Sequence, residues 1–406
     1  MAGEWLWIER ELKKLAEFSV GNKGISRLAF SPEEKAARLH IESLMQEIGM
    51  QTRVDAAGNL IGRLEGRDSG AAVVATGSHL DTVPEGGRLD GVLGVLCSLA
   101  AVKAAAKQGE LRHPVELIVF SGEEPSRFGL EAIGCKAMVG LADPGNWQKL
   151  KDETGTNLKN AFEEFELAWV DIPNATRSKG EIKAFLEVNI EQGGILEKVG
   201  MSLGMVEEGV APIRFKIVVE GLAAHTGVTP VEERQDALVT SAKMILAVQE
   251  IAQEHSGEGI IATIGQLKVS PGAINVVPGQ VEMWAEICGR NGESVIECLQ
   301  EVKDAISTIA EEEETTVCIE MLSADRAVRL SETIIELIED LCQVKGIRCK
   351  RLENASGKNA MHMARICSAG LLVLPVRGTI NEQLVESSEI ENAVEVMTEA
   401  LMRLAQ

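Results

Sequence analysis

Two short runs, AAVVATG at 71–77 and PVELIVFSG at 114–122, are almost free of polar interruption. A strand with one wet face alternates apolar and polar residues, whereas a strand buried on both faces reads as a continuous apolar run. Each run here is followed by a glycine or acidic cluster and then a helical pattern, the first of them VLGVLCSLAAVKAAA at 92–106. This order predicts an α/β core, a buried sheet with helices on its faces. Sheets of this kind collect ligands beyond the carboxyl ends of their strands. SHLD at 78–81 and GEEPS at 122–126 lie at such ends and are expected to converge in one crevice. The helix of SPEEKAARLHIESLMQEIG is marked by Ser31 as N-cap, Pro32 in the first turn and Glu34 three residues on, the pattern of a capping box.

At 406 residues the chain exceeds one ordinary core, so two domains are expected. From about residue 211 the texture changes: RFKIVVEG, a helix from about 232 to 254, IIATIGQLKV, VEMWAEICG, a helix to about 310, then VCIEML. Two helices on an antiparallel sheet is the natural arrangement for that order. From Ser331 the α/β order resumes, with a helix, GIRCKRL, LLVLPV and a closing helix from about 387. The chain therefore reads as a discontinuous α/β domain, 1–210 with 327–406, into which an α+β domain, 211–326, is inserted. EEEE at 311–314 reads as a solvated helix end.

A formal charge of −22 argues against nucleic acid or an anionic membrane as partner, which leaves small molecules, metals and proteins. MAGEWLWIERELKK carries acids where a signal peptide would be basic, and residues 92–106 are too short and too interrupted by Lys103 to span a bilayer. Eight cysteines without a CxxC pair suggest reduced thiols, and hence a cytoplasmic location.

Within SHLDTVPEGGRLDG, His79 and Asp81 stand two apart at a strand end and so point to the same side. The Gly-rich turn then lets Asp90 fold back toward them. Glu123 and Glu124 arrive at the end of the next strand, where adjacent carboxylates repel unless a proton or a cation lies between them. Taken singly, each residue has an ordinary use in a turn or a solvated loop. Together at successive strand ends, they outline a metal centre with a glutamate left to act as general base.

The segments GSHLDTVPEGGRLDG, GEEPSRFG, IEQGGILE, GLAAHTGVTPVEERQDAL and INVVPGQVE resemble the hydantoinase/carbamoylase family of amidohydrolases, in the clan of the di-zinc aminoacylases and carboxypeptidases. That family includes N-carbamoyl-L-amino acid hydrolases, β-ureidopropionases and allantoate amidohydrolases. The resemblance implies a di-zinc-peptidase-like catalytic domain, a homodimer built through the inserted domain, a two-ion site of zinc or manganese, and hydrolysis of a linear ureido or amide C–N bond. By the same resemblance His79 binds the first ion, Asp90 bridges both and Glu124 binds the second. Asp81 orients His79, Glu123 is the general base and Gln192 lines the substrate pocket. His225 and Asn275 reach substrate from the inserted domain.

The departures from the family are specific. Asn189 stands in NIEQG where the family has a metal-binding histidine, and Asn381 in GTINEQLVE where it has another. Cys288 occupies the place of the family's substrate-carboxylate arginine, which makes Arg290, and less strongly Arg214, a candidate replacement. The segment SGKNA, with Gly357, Lys358 and Asn359, shortens the family's SGAGHDA. Gly357 is kept as a substrate contact. Of the other histidines, His40, His113, His255 and His362, none offers an obvious substitute ligand, His362 being nearest in sequence to the altered segment. Neutral amide oxygens suit manganese, magnesium or calcium better than zinc. Two functions follow: an amidohydrolase with an altered metal centre, or an inactive relative that binds a ligand or a partner subunit.

Overall fold

The structure is a computed structural model that describes residues 3–406 apart from Glu110, Ala211, Arg290, Arg326, Gly357, Lys358, Ile380 and Asn381. Three of the candidate site residues, Arg290, Gly357 and Asn381, thus lie outside the described residues. The chain divides into two compact units, Met1–Gly209 with Val328–Gln406, and Val210–Ala327.

The first unit begins with α1 (Glu4–Ala16), α2 (Pro32–Glu47), β1 (Gln51–Val54), β2 (Leu60–Leu64), β3 (Val73–His79), α3 (Val92–Gln108), β4 (Val115–Phe120), β5 (Ile182–Glu191) and β6 (Leu203–Val210). The second unit holds β7 (Ile213–Glu220), β8 (Ala224–His225), α4 (Ala237–Glu254), β9 (Ile261–Ser270), β10 (Val276–Val277), β11 (Gln280–Cys288), α5 (Gly292–Glu312) and β12 (Thr316–Ala324). The chain then returns to the first unit with β13 (Val328–Arg329), α6 (Glu332–Lys345), β14 (Cys349–Ser356), α7 (Asn359–Met363), β15 (Ser368–Pro375) and α8 (Ser387–Leu404).

The main sheet runs β1-β2-β4-β3-β5-β15-β6-β13, with β14 paired to β6. Its centre is parallel: β3 pairs with β4 and with β5, and β5 with β15. Side chains on these strands alternate between two buried cores. Val74, Leu117, Val119, Leu186 and Val188 face the core that includes α1, α2, α3, α6 and α8. Ala75, Ile118, Phe120, Phe185 and Val373 face the other. Burial on both faces is why the strands lack polar alternation, and each large side chain so buried contributes roughly 1.5–3 kcal/mol. The helix α3, read from the sequence as buried, has Val92–Val102 entirely shielded.

The second unit is a four-stranded antiparallel sheet, β12-β7-β11-β9, with β8 and β10 as a separate pair. The helices α4 and α5 cover it through Met244, Val248, Val302 and Ile306, which meet Phe215, Ile217, Val281 and Met283. Helix α4 starts at Ala237, later than the sequence suggests. Residues 231–233 form a short 3₁₀ turn, Arg234 donates to the carbonyls of Thr226 and Thr229, and Asp236 caps the helix by accepting from the N–H groups of Leu238 and Val239. No described helix is long and apolar enough to cross a membrane.

Candidate metal centre

The centre is assembled at the carboxyl ends of β3 and β4. His79 is the last residue of β3 and has no exposed surface. Its Nδ1 lies 3.0 Å from the backbone oxygen of Asp81. A carbonyl only accepts, so Nδ1 carries the hydrogen and Nε2 carries the lone pair in the neutral ring. That Nε2 is buried without a hydrogen bond, 3.4 Å from Glu123 Oε2 and 3.9 Å from Asp90 Oδ1. Gly91 makes the approach possible, since a Cβ there would stand 2.6 Å from the imidazole Nε2.

Asp81 does something the spacing alone did not reveal. Its carboxylate is 3.6 Å from His79 Nδ1, but it accepts from the backbone N–H groups of Glu123, at 3.2 Å, and Glu124, at 2.8 Å. The orienting bond to His79 comes from the Asp81 carbonyl instead. Asp81 therefore ties the loop after β3 to the loop after β4 and sets where both glutamates leave the sheet. Behind it sits the buried Arg27, which donates to the carbonyls of Leu80, Leu15 and Phe18 and ties the His79–Asp81 turn to the end of α1. Burial lowers this guanidinium to about 10 against the pull of Glu34 and Asp81. Arg27 lies in a loop with no motif around it, and no sequence signal singled it out.

Carboxylates dominate the electrostatics. Burial works against charge on His79, but Glu123, Asp81 and Asp90 outweigh it and hold the imidazole well above its ordinary pKa. A proton is one way to answer this negative field, and a divalent cation is another. The side chains of His79, Glu123 and Glu124 each bring a ligand atom within 4.8 Å of the others. Imidazole and carboxylates are donors for divalent ions, and a buried nitrogen with no hydrogen bond is in place, so the donor set fits such an ion.

The remaining residues are placed as follows. Asp90 closes the Gly-rich turn and its Oδ2 accepts from Gln192 Nε2 at 2.8 Å, so Gln192 is tied to a carboxylate of the centre. Asn189 is buried on β5, two residues beyond Glu187, which pairs with Gly77 of β3 just as His79 lies two beyond Gly77. Its Oδ1 accepts from the N–H of Ile190 at 2.8 Å, and its Nδ2 is buried without a partner. Gln383, two residues past Asn381, accepts from Leu89 N at 3.1 Å, beside the turn that carries Asp90. Within the second unit, β8 and β10 bring His225 and Asn275 together: Val276 pairs with His225, and Thr226 N–H donates to the Asn275 carbonyl. His225 is exposed, and its Nδ1 accepts from Gly227 N–H. Arg214 is paired with Glu286 at 2.6 Å. His362 is buried in α7. Asn359 and the N–H of Ala360 bind the buried carboxylate of Glu187.

Residues 75–403 match the sequence profile of peptidase family M20/M25/M40. The N-carbamoyl-L-amino acid amidohydrolase of Geobacillus stearothermophilus is 34% identical over 411 residues, covering 100% of this chain and 99% of that protein. The N-carbamoyl-L-amino-acid amidohydrolase of Paenarthrobacter aurescens is 31% identical over 401 residues, covering 98% and 97%. Among solved structures, the hydantoinase/carbamoylase family amidase of Burkholderia vietnamiensis superposes with a TM-score of 0.93 at 25% identity, covering 99% and 97%.

Proposed function

This chain belongs to peptidase family M20/M25/M40, and from that premise we propose that it is a metal-dependent amidohydrolase cleaving the linear C–N bond of a ureido or amide small molecule. The substrate class is an N-carbamoyl amino acid or an allantoate-like ureide. The observation that carries the reading is His79 Nε2, buried without a hydrogen bond and facing the carboxylates of Glu123 and Asp90.

When bound, a divalent ion supplies Lewis acidity toward the carbonyl and acidifies water. His79, Asp90 and Glu124 are the residues that would hold it, together with Asn189 and Asn381 if their amide oxygens turn toward it. Manganese is favoured over zinc for such a set, because those two positions offer oxygen in place of imidazole. Glu123 takes the proton from the attacking water and returns it to the leaving nitrogen. Asp81 keeps that carboxylate in position through the two backbone bonds. Gln192 lines the substrate pocket, and His225 and Asn275 serve to polarise the carbonyl and bind substrate. By the resemblance, Gly357 is a candidate substrate contact, and Arg290 is the candidate anchor for a substrate carboxylate.

The second unit is the surface of a homodimer. Its β9 lies at the edge of the four-stranded sheet, and Ile261, Leu246 and Ile296 expose apolar surface on the same unit. The eight cysteines are all unbridged, which supports a reducing, cytoplasmic location.

The test is Glu123→Gln, assayed for release of free amine from a panel of N-carbamoyl amino acids and ureides. The expected loss is about 10²–10⁴-fold in kcat. Absence of turnover by the manganese-loaded wild type across the panel would overturn the reading in favour of a ligand-binding relative.

A further inference from the structure

We propose that Cys342 and Cys349 form a redox pair, which a small-molecule disulfide oxidises to one intramolecular bond that clasps α6 to β14. Neither residue belongs to the metal centre, and the proposal stands apart from the hydrolase reading.

The chain itself brings the two thiols together. Helix α6 ends on Gly346, whose left-handed backbone turns the chain so that the Ile347 N–H donates to the Cys342 carbonyl at 2.9 Å. Beyond the turn, Ile347, Cys349 and Arg351 are partly shielded while Arg348 and Lys350 are exposed, so the first three share the side that meets α6. Arg351 fixes the register there. Its guanidinium grips Glu339 of α6 with two bonds, Nε to Oε1 at 2.9 Å and Nη2 to Oε2 at 2.6 Å. Cys349 lies two residues before Arg351 on the strand, and Cys342 lies three residues after Glu339 on the helix. A strand advances about 6.6 Å in two residues and a helix about 4.5 Å in three, so the second pair of side chains meets beside the first. Cys349 accordingly packs against the core that holds the wholly buried Cys342, and the Cys342 thiol donates toward that of Cys349.

Cys135 and Cys367 also lie within electrostatic reach of each other. Their thiols are committed elsewhere, Cys135 donating to the Asn359 carbonyl at 3.6 Å and Cys367 to the Met363 carbonyl at 3.3 Å. Cys342 and Cys349 are thus the pair whose thiols are turned to one another. Both are reduced in this structure.

The exchange has two steps. The thiolate of Cys349, the partly exposed member, attacks a sulfur of the small disulfide and releases one small thiol. The Cys342 thiolate then attacks the Cys349 sulfur of the mixed disulfide and releases the second. Two electrons and the two thiol hydrogens pass from the protein to the oxidant, which leaves as two thiols. Burial pushes both protein thiols up, so the exchange is slow, and Cys349, which accepts from Cys342, is the first to ionise. The loop closed runs only from Cys342 to Cys349. So short a loop takes little entropy from the unfolded chain, which leaves the bond within reach of thiol reductants.

The experiment is prolonged incubation of the folded full-length protein with glutathione disulfide, followed by blocking of free thiols, tryptic digestion and mass spectrometry. Mapping is needed because the exposed Cys318 can take up glutathione by itself. Trypsin cuts between the two cysteines at Lys345 and Arg348. The expected product is therefore a pair of peptides joined through Cys342 and Cys349, lighter than their sum by two hydrogens, and separated again when the protein is first treated with excess reduced glutathione. Cys349→Ser and, independently, Cys342→Ala should each abolish the joined product, with circular dichroism showing which variants are folded. Both thiols blocked as free cysteines after oxidation would overturn the proposal. So would a glutathione adduct that persists on Cys349 without closing, or a bond from Cys342 to some other cysteine.

Discussion

Gly91 shows how closely the centre depends on a single hydrogen atom in place of a side chain. Its φ of +67° is left-handed, and a Cβ there would meet the His79 ring at 2.6 Å. Gly91→Ala should cost about 2–4 kcal/mol, from the strained backbone and the displaced imidazole together. Thermal melting measures the first effect and manganese affinity the second. A variant that melts like wild type and binds metal like wild type would contradict the placement of His79. At this scale His79, Asp90, Glu123 and Glu124 were legible as a set because strand ends converge. The partner of Asp81 was not, because period-two spacing gives the side a residue faces and not which N–H groups it meets. Glu34 was read as half of a capping box, and it does accept a backbone bond, but from Phe30 rather than from the N-cap Ser31. It is fully buried, and burial and the nearby Asp81 push its carboxyl up to about 7 against Arg38 and the Phe30 N–H. Nothing in PEEK distinguishes a buried glutamate from a solvated one.

Elements were easier to read than their ends. The buried strands β3, β4 and β15 appear where continuous apolar runs place them, within three residues. The strand expected from Gly346 begins at Cys349, because Gly346 is the left-handed cap of α6 at φ +68° and the chain needs two more residues to turn. Helix α4 gave the larger displacement. Residues 231–235 have helical composition, but Pro230 and the Arg234 bonds to the preceding carbonyls hold them in a tight turn. The helix thus starts from the side chain of Asp236. Asp236→Ala should therefore destabilise the protein by about 1 kcal/mol, and Glu233→Ala by much less. Equal small losses in denaturant unfolding of both variants would contradict this assignment of the cap.

For the whole molecule, membership of a metallopeptidase family and a carboxylate-rich centre lead to the same expectation, while assembly is the role proposed for the second unit. Sedimentation velocity at micromolar concentration should show a homodimer, and Ile261→Lys on β9 should shift it toward monomer. A monomer in the wild type would remove the role assigned to that unit. The order of strands and helices changes near residue 211 and again near 327, and the chain passes between its two compact units at Gly209/Val210 and Ala327/Val328. The metal content was not legible, because Asn189 changes a donor without interrupting β5. The central claim, a divalent ion at His79 that drives C–N hydrolysis, is tested most directly by titrating manganese(II) into chelator-stripped protein while following amine release from N-carbamoyl amino acids and ureides. The account predicts no turnover without metal and a rise that saturates with the binding isotherm and is abolished by His79→Ala. Turnover that persists in the stripped protein, or that survives His79→Ala unchanged, would contradict it.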